Sequence, residues 1–157
     1  LADIDMEIGN TASSGRISVF AANVMSSLGE SSRAAEANLV RAHALRQSGD
    51  FAGAATSANL AYNAIKGSRK RDVQSLKRHC LGVRGQQRAY YRRHRLAESS
   101  LVKAVYGCEE AGEGRWVACW ELRRAENFTL AGNFDCALAS LQRARSMHFD
   151  DSNIALR

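Results

Sequence analysis

The residues able to do chemistry are few and scattered. His43, His79, His94 and His148 fall in four separate stretches, and Cys80, Cys108, Cys119 and Cys136 form no Cys-x-x-Cys pair. Zinc sites draw on short paired spacings, so no metal site is expected. His79 beside Cys80 suggests a nucleophile and its base, but neighbours on a helix point about 100° apart. A surface histidine next to a buried cysteine fits that pair better. Glu109-Glu110 and Asp150-Asp151 lie at or near expected helix ends, where acidic pairs act as caps or solvated charges before they act as general acids. No glycine-rich phosphate loop, serine nucleophile elbow or metal signature occurs. The chain reads as a non-enzyme with no cofactor and no catalytic residue. The cysteines read as reduced, buried, small apolar residues. Their number is even, and Cys108 with Cys119, flanking one short turn, is the pair in which a disulfide would be sought first.

Recognition chemistry is better represented. Of the formal net charge of +6, the stretch from Lys66 to Arg95 holds eleven Lys or Arg against Asp72 alone, a local +10 that leaves −4 for the remainder. Such asymmetry points to an acidic partner or to nucleic acid, and solvated helix faces paired with the acidic remainder are the plain alternative. Within it, Arg84, Arg88 and Arg92 stand four apart and would form one ridge of a helix. Arg93 and Arg95 follow, with Tyr90 and Tyr91 between the arginines. Guanidinium groups grip carboxylate or phosphate bidentately, and the tyrosines can stack or donate a hydrogen bond. Arg84, Arg88, Tyr90, Arg92, Arg93 and Arg95 are therefore the expected partner-binding residues. Protein ranks ahead of nucleic acid because stacking on single strands usually takes a series of aromatics. Another copy of this chain, through Glu109, Glu110 and Glu113, also meets the requirement for an acidic partner.

The elements that must position these residues are helices. The chain of 157 residues has no proline, and its Ala, Leu and Arg favour helix. The expected content is about two-thirds to three-quarters helix, against roughly one-third in an average domain. No run of apolar residues is long enough for a membrane-spanning helix. The start, Leu-Ala-Asp-Ile-Asp, lacks the basic and apolar blocks of a signal peptide, and a first residue other than Met suggests a processed product or fragment. A cytoplasmic setting is favoured.

Ile4, Met6 and Ile8 alternate but are read as a lead-in ending near Gly9 to Ala12. A helix is expected over 17–28 with Ala21, Met25 and Leu28 on its inner face, and Ser31 or Ser32 can cap the next. That next helix, 33–48, would bury Ala35, Leu39, Ala42 and Leu45, and end at Gly49-Asp50. Phe51 would insert between that helix and its partner over 52–65. Ser68 or Asp72 would cap a helix over 72–92, whose Gly82 and Gly85 mark close helix approach. Helices over 96–110, 116–130 and 135–147 follow. Asp151 or Ser152 would cap either a short closing turn or the start of a further helix, as in a piece of a longer protein.

An internal repeat runs through these elements. Gly49, Phe51, Ala54, Ala58 and Ala61 are matched by Gly132, Phe134, Ala137, Leu141 and Ala144, and between them by Ala97, Leu101 and Ala104. The step from Ala54 to Ala97 is 43 residues and from Ala97 to Ala137 is 40. Residues four and three apart share a helix face, so each set offers a small-residue seam.

This pattern resembles the tetratricopeptide repeat family, whose unit is two antiparallel helices with a glycine and an aromatic at the turn. Ala42, Gly49, Phe51, Ala54, Ala58 and Ala61 fit it, as do Ala125, Gly132, Phe134, Ala137, Leu141 and Ala144; Gly85, Ala97, Leu101 and Ala104 fit in the middle unit, where Arg92 and His94 depart. The likeness covers about residues 33–147. The spacing exceeds the family's usual 34 and is closer to the longer repeats of some bacterial signalling regulators and of other helix-pair solenoids. The resemblance implies an all-α solenoid of about four antiparallel helix hairpins in a single domain: a degenerate hairpin over 1–30, repeats over 33–65, 72–110 and 115–147, and a tail from 148. It implies a protein-interaction scaffold binding a peptide or partner subunit, with His43, Gln47, Gln86, Tyr90, Arg123 and Glu126 lining a groove. The regular Lys/Asn clamp that the family uses for a peptide carboxylate is not found. A nucleic-acid-binding repeat using 66–95 is the second expectation.

Overall fold

Five of the six connections between the described helices are the same object. In each, a helix is followed by a three-residue turn whose middle residue is left-handed: Gly29 (φ 73°), Gly49 (85°), Arg92 (56°), Gly112 (70°) and Gly132 (76°). The residue after it folds its N–H back onto a carbonyl five positions earlier, as Asp50 does to Leu45 at 2.8 Å and Glu30, Arg93, Glu113 and Asn133 do at 2.9 Å. The left-handed residue itself bonds three back, for example Gly49 to Arg46 at 3.1 Å and Gly132 to Thr129 at 3.0 Å. This is the Schellman arrangement, which satisfies the orphan carbonyls of a helix end while reversing the chain. The residue that closes one helix also caps the next. The carbonyls of Glu30, Asp50, Arg93, Glu113 and Asn133 receive the N–H of Ala34, Ala54, Ala97, Val117 and Ala137, and all five recipients are buried.

The computed structural model describes residues 11–154, with side chains described for 16–70 and 73–147. Among the described residues it is 85% helical and without strands. The helices are α1 (Thr11–Ser27), α2 (Ser31–Gln47), α3 (Phe51–Ile65), α4 (Arg71–Tyr90), α5 (His94–Glu110), α6 (Gly114–Leu130) and α7 (Phe134–Ile154). Helix content thus exceeds the expected three-quarters, because the reversals need only three residues each. The underlying period is one helix and its turn: Gly29 to Gly49 is 20 residues, and Arg92, Gly112 and Gly132 keep that interval. The longer step of 43 has a local cause. Helix α4 has 20 residues where α2, α5 and α6 have 17 each, while the two residues that α3 lacks, at 15, are made up by its five-residue connection to α4.

The chain divides within α4 into two compact units, Leu1–Val83 and Arg84–Arg157. In the first, α1 packs on α2 and α2 on α3. Its seam is mostly alanine: Ala34, Ala35 and Ala42 on α2, and Ala54, Ala58 and Ala61 on α3, are all closed to solvent. Side chains this small let helix axes come to the near end of the usual 8–10 Å range. Leu39, Ile65, Val73 and Val83 supply bulk, each contributing roughly 1.5–3 kcal/mol on burial. Asp50 caps α3 by accepting from the Gly53 N–H at 2.8 Å. In the second unit, α5 packs on α6 and α6 on α7. Gly85 on α4 lies against α5 so closely that a Cβ there would stand 2.5 Å from Leu101 Cγ and 3.2 Å from the Ala97 carbonyl. Close approach, expected at Gly82 and Gly85, is thereby observed at Gly85.

Several local expectations change. Helix α1 starts at Thr11, and its inner face is Ser18 and Ala22; Leu28 is exposed and Ala21 and Met25 only half-buried. The four-then-three pattern was one residue out of phase there, because Ala21 and Ala22 are equally suitable by size. Ser31 and Ser32 do not cap α2, since its N-cap is Glu30, which makes no side-chain cap bond. Leu45 is half-buried while Ala34, Asn38 and Ala44 join the buried face. Helix α4 ends at Tyr90 rather than Arg92, α5 begins at His94 rather than Leu96, and α7 continues to Ile154. Ala137 and Ala144 are buried, but Leu141 between them is exposed. All four cysteines are free, Cys108 and Cys119 included, and Cys136 is exposed, contrary to the buried reading. Ile4, Met6 and Ile8, and the side chains of His148, Asp150, Asp151 and Ser152, lie outside the described residues.

Gly85→Ala should overpack the α4–α5 contact and lower stability by roughly 1–3 kcal/mol. Urea denaturation measures it, and a midpoint equal to the parent's would contradict the contact.

Candidate interaction surface

The basic stretch does not act as one ridge. Lys77 donates to the Ser68 carbonyl, which also receives Gln74 Nε2 at 3.3 Å, so this ammonium closes the α3–α4 connection. Arg84 and Arg88 are half-buried. Arg88 Nη1 donates to Ser100 Oγ at 2.6 Å and to the Leu96 carbonyl at 3.2 Å, tying α4 to the first turns of α5. Burial, and then the neighbouring charges of Arg84 and Arg93, push its guanidinium below the usual value. It remains a cation at neutral pH, but its hydrogen-bonding edge is engaged within the fold. Arg92 lies beyond the end of α4, in the left-handed turn position, and so is not in line with Arg84 and Arg88.

What the fold does gather is a corner. Tyr90 and Tyr91, 53% and 47% exposed, meet edge to face with ring centroids 5.5 Å apart. Arg92, Arg93 and Arg95 are exposed around the same turn. His94 is anchored instead: its Nδ1 is 2.9 Å from Asn127 Oδ1, while Asn127 Nδ2 donates to the His94 carbonyl at 3.2 Å. The amide's donor is used on that carbonyl, so its oxygen faces the ring and His94 donates from Nδ1. Asn127 is buried, and this pair fixes the start of α5 against α6. The corner therefore projects two aromatic rings and three cations from a fixed base. The arginine at the left-handed position costs roughly 1 kcal/mol that the four glycines elsewhere do not incur.

The groove residues divide between the two units. His43, half-buried, and Gln47, exposed, are on α2 in the first; Gln86, half-buried on α4, Tyr90, and Arg123 with Glu126 on α6 are in the second. Arg123 and Glu126 form an ion pair with each other across three residues of α6. His79 is half-buried beside the buried Cys80. Among the described residues no group of three or more His, Cys, Asp or Glu is placed to hold a metal ion.

One charged cluster escaped the sequence reading. Glu121 on α6 is fully buried, and its carboxylate accepts from Arg124 Nη1 at 2.8 Å and pairs with Arg143 Nη1 of α7 at 3.0 Å. Arg124 also reaches Glu98 of α5, through Nη2 at 2.6 Å and Nε at 3.0 Å, and lies 5.7 Å from the Phe128 ring centre. Arg143 pairs in addition with Glu109, so that carboxylate joins the fold rather than standing as a solvated charge. Burial pushes the Arg124 guanidinium down, but its hydrogen bonds to Glu98 and Glu121, and their charges, outweigh this and raise it. The network joins α5, α6 and α7 within the second unit. A signal was present: Glu121 and Arg124 are three apart on the helix face that also carries the buried Val117 and Trp120.

Breaking such a network leaves a buried charge without its partner. Arg124→Ala combined with Arg143→Ala, which strips the fully buried Glu121 of both its cations, should therefore cost about 3–5 kcal/mol, read as a lowered urea midpoint with the far-ultraviolet spectrum of the folded state retained; an unchanged midpoint would show that the cluster contributes nothing.

Compared with known proteins, the chain finds no matching family model, no matching curated protein and no matching solved structure.

Proposed function

We propose that this chain is a protein-interaction scaffold, a helix-hairpin repeat of the tetratricopeptide type, and that it binds an acidic protein or peptide at the α4–α5 corner. Support for the repeat comes from the identical turns and from the small-residue seams at fixed offsets after them. In this reading α2–α3, α4–α5 and α6–α7 are successive hairpins, and α1 belongs to an incomplete first one.

A single observation carries the choice of surface: exposed Tyr90 and Tyr91 stand beside exposed Arg92, Arg93 and Arg95 on a turn whose left-handed residue is an arginine rather than a glycine. Strain retained at a residue open to solvent has no packing benefit to offset it, and such strain collects at functional positions. Tyrosine and arginine are also the residue types in which interface energy concentrates. The corner offers cation forks for carboxylates and flat rings for the aliphatic or amide groups between them.

Arg93→Glu combined with Arg95→Glu leaves both anchors of the corner, Arg88 and His94, in place. Their effect should be a loss of partner capture from native extract at equal folded fraction. With the captured partner purified, the association rate should fall about tenfold or more while dissociation changes less. Equal recovery of the same partners by parent and variant contradicts this surface. A duplex oligonucleotide titrated at about 50 mM salt separates the alternative, since strong binding with a steep salt slope would move the corner to nucleic acid.

A further inference from the structure

Helices α5 and α7 carry a serine at the same repeat position, and only one of the two is satisfied. Ser100 and Ser140 stand 40 residues apart, and both are buried, at 4% and 5% exposed. The Ser100 hydroxyl donates to the Leu96 carbonyl at 3.1 Å and accepts from Arg88 Nη1 at 2.6 Å; the same nitrogen donates to that carbonyl at 3.2 Å. A cation from α4 thus serves this turn of α5. Forty residues on, Cys136 takes the place of Leu96 and Phe128 the place of Arg88. Phenylalanine has no donor, and the Ser140 hydroxyl has no hydrogen-bond partner among the described residues.

In the α6–α7 hairpin this hydroxyl faces a hollow of about 200 Å³, lined by Phe128, Cys136 and Ser140 together with the Glu121–Arg124–Arg143 cluster. At roughly 30 Å³ for each water-sized group, it takes a ligand of about six or seven such groups. Cys136 is free and exposed, so the hollow has a thiol that solvent reaches. Residues four apart on a helix have β-carbons about 5–6 Å apart. A two-carbon chain on the Cys136 sulfur therefore reaches the Ser140 hydroxyl.

Charge selects the end group of that chain. The cluster holds three carboxylates, Glu98, Glu109 and Glu121, against two guanidinium groups, Arg124 and Arg143. Asp135 adds a negative charge next to Cys136. The surplus is negative, which favours an ammonium over a carboxylate, and an ammonium is also the donor that matches Arg88 on Ser100.

We propose that the hollow seats a small aminothiol held on Cys136 as a mixed disulfide, its ammonium donating to the Ser140 hydroxyl. The Cys136 thiolate attacks one sulfur of the aminothiol's symmetric disulfide. The new S–S bond forms as the original one breaks, and the second aminothiol leaves as a thiolate that takes up the proton Cys136 gave to solvent. Cys136 is oxidised and the released sulfur is reduced, so no other oxidant enters. The site is independent of the α4–α5 corner and of the scaffold reading.

The probes are three symmetric disulfides: cystamine, which ends in ammonium groups, 2-hydroxyethyl disulfide, which is neutral, and 3,3′-dithiodipropionate, which ends in carboxylates. The full chain is equilibrated with each and its matching thiol, then quenched in acid, and the modified fraction of Cys136 is read by peptide mass spectrometry. The same measurement on the urea-unfolded chain gives the intrinsic exchange constant for each probe. Relative to that constant, folding should favour the cystamine product about tenfold over the neutral one and disfavour the carboxylate product. Ser140→Ala, its fold verified by circular dichroism, should remove the tenfold preference. Equal effects of folding on all three probes would make Cys136 an ordinary exposed thiol and overturn the proposal. So would preference for the carboxylate probe, or a cystamine preference that Ser140→Ala leaves intact.

Discussion

The left-handed residue at the middle of each three-residue turn is the constraint on which the rest depends. It lets a helix end and its successor begin with a shared set of backbone hydrogen bonds, so the chain reverses without a loop to order. Because the turn fixes the register of the next helix, the fifth residue after the left-handed one always faces inward. Ala34, Ala54, Ala97, Val117 and Ala137 occupy that place. The small-residue seams follow from the turns, and the close packing follows from the seams. The basic unit is accordingly a single helix of about five turns, and the forty-residue hairpin is two of them.

Where the chain departs from this grammar, it acquires surface chemistry. At Arg92 the turn keeps its geometry but presents a guanidinium instead of a bare backbone, with Tyr90, Tyr91, Arg93 and Arg95 around it. The two anchors, Arg88 on Ser100 and His94 on Asn127, tie the corner to α5 and α6. Across α5, α6 and α7 the carboxylates of Glu98, Glu109 and Glu121 meet Arg124 and Arg143. Some of the acidic remainder of the chain is thus neutralised within the fold, not by the basic stretch.

Much of the architecture was legible because it rests on residue types with few alternatives. A glycine followed by a polar residue and then a periodic apolar run has one common meaning, and Gly49, Gly112 and Gly132 gave it. Ala54, Ala58 and Ala61 marked a seam because alanines at that spacing have little other use. The corner was legible only in composition. Helical spacing placed Arg92 on a ridge with Arg84 and Arg88, since nothing in the residue types shows that an arginine will take the left-handed place of a glycine. Glu121 was missed because a buried carboxylate is recognised only through partners that other helices bring to it. Leu141 was expected inside because periodicity shows which residues share a face, not whether anything covers that face. Around Ala21 and Ala22 two equal candidates left the phase undetermined.

The account turns on Arg92 occupying, at a cost in stability, a place that the backbone would give to glycine. Urea denaturation of Arg92→Gly beside the parent tests this most directly. Relief of the left-handed strain, less the added unfolded-state entropy of glycine, should make the variant more stable by about 0.5 kcal/mol. A variant less stable than the parent would mean that the Arg92 side chain holds the turn together, and that the corner is part of the packing rather than a surface kept for a partner.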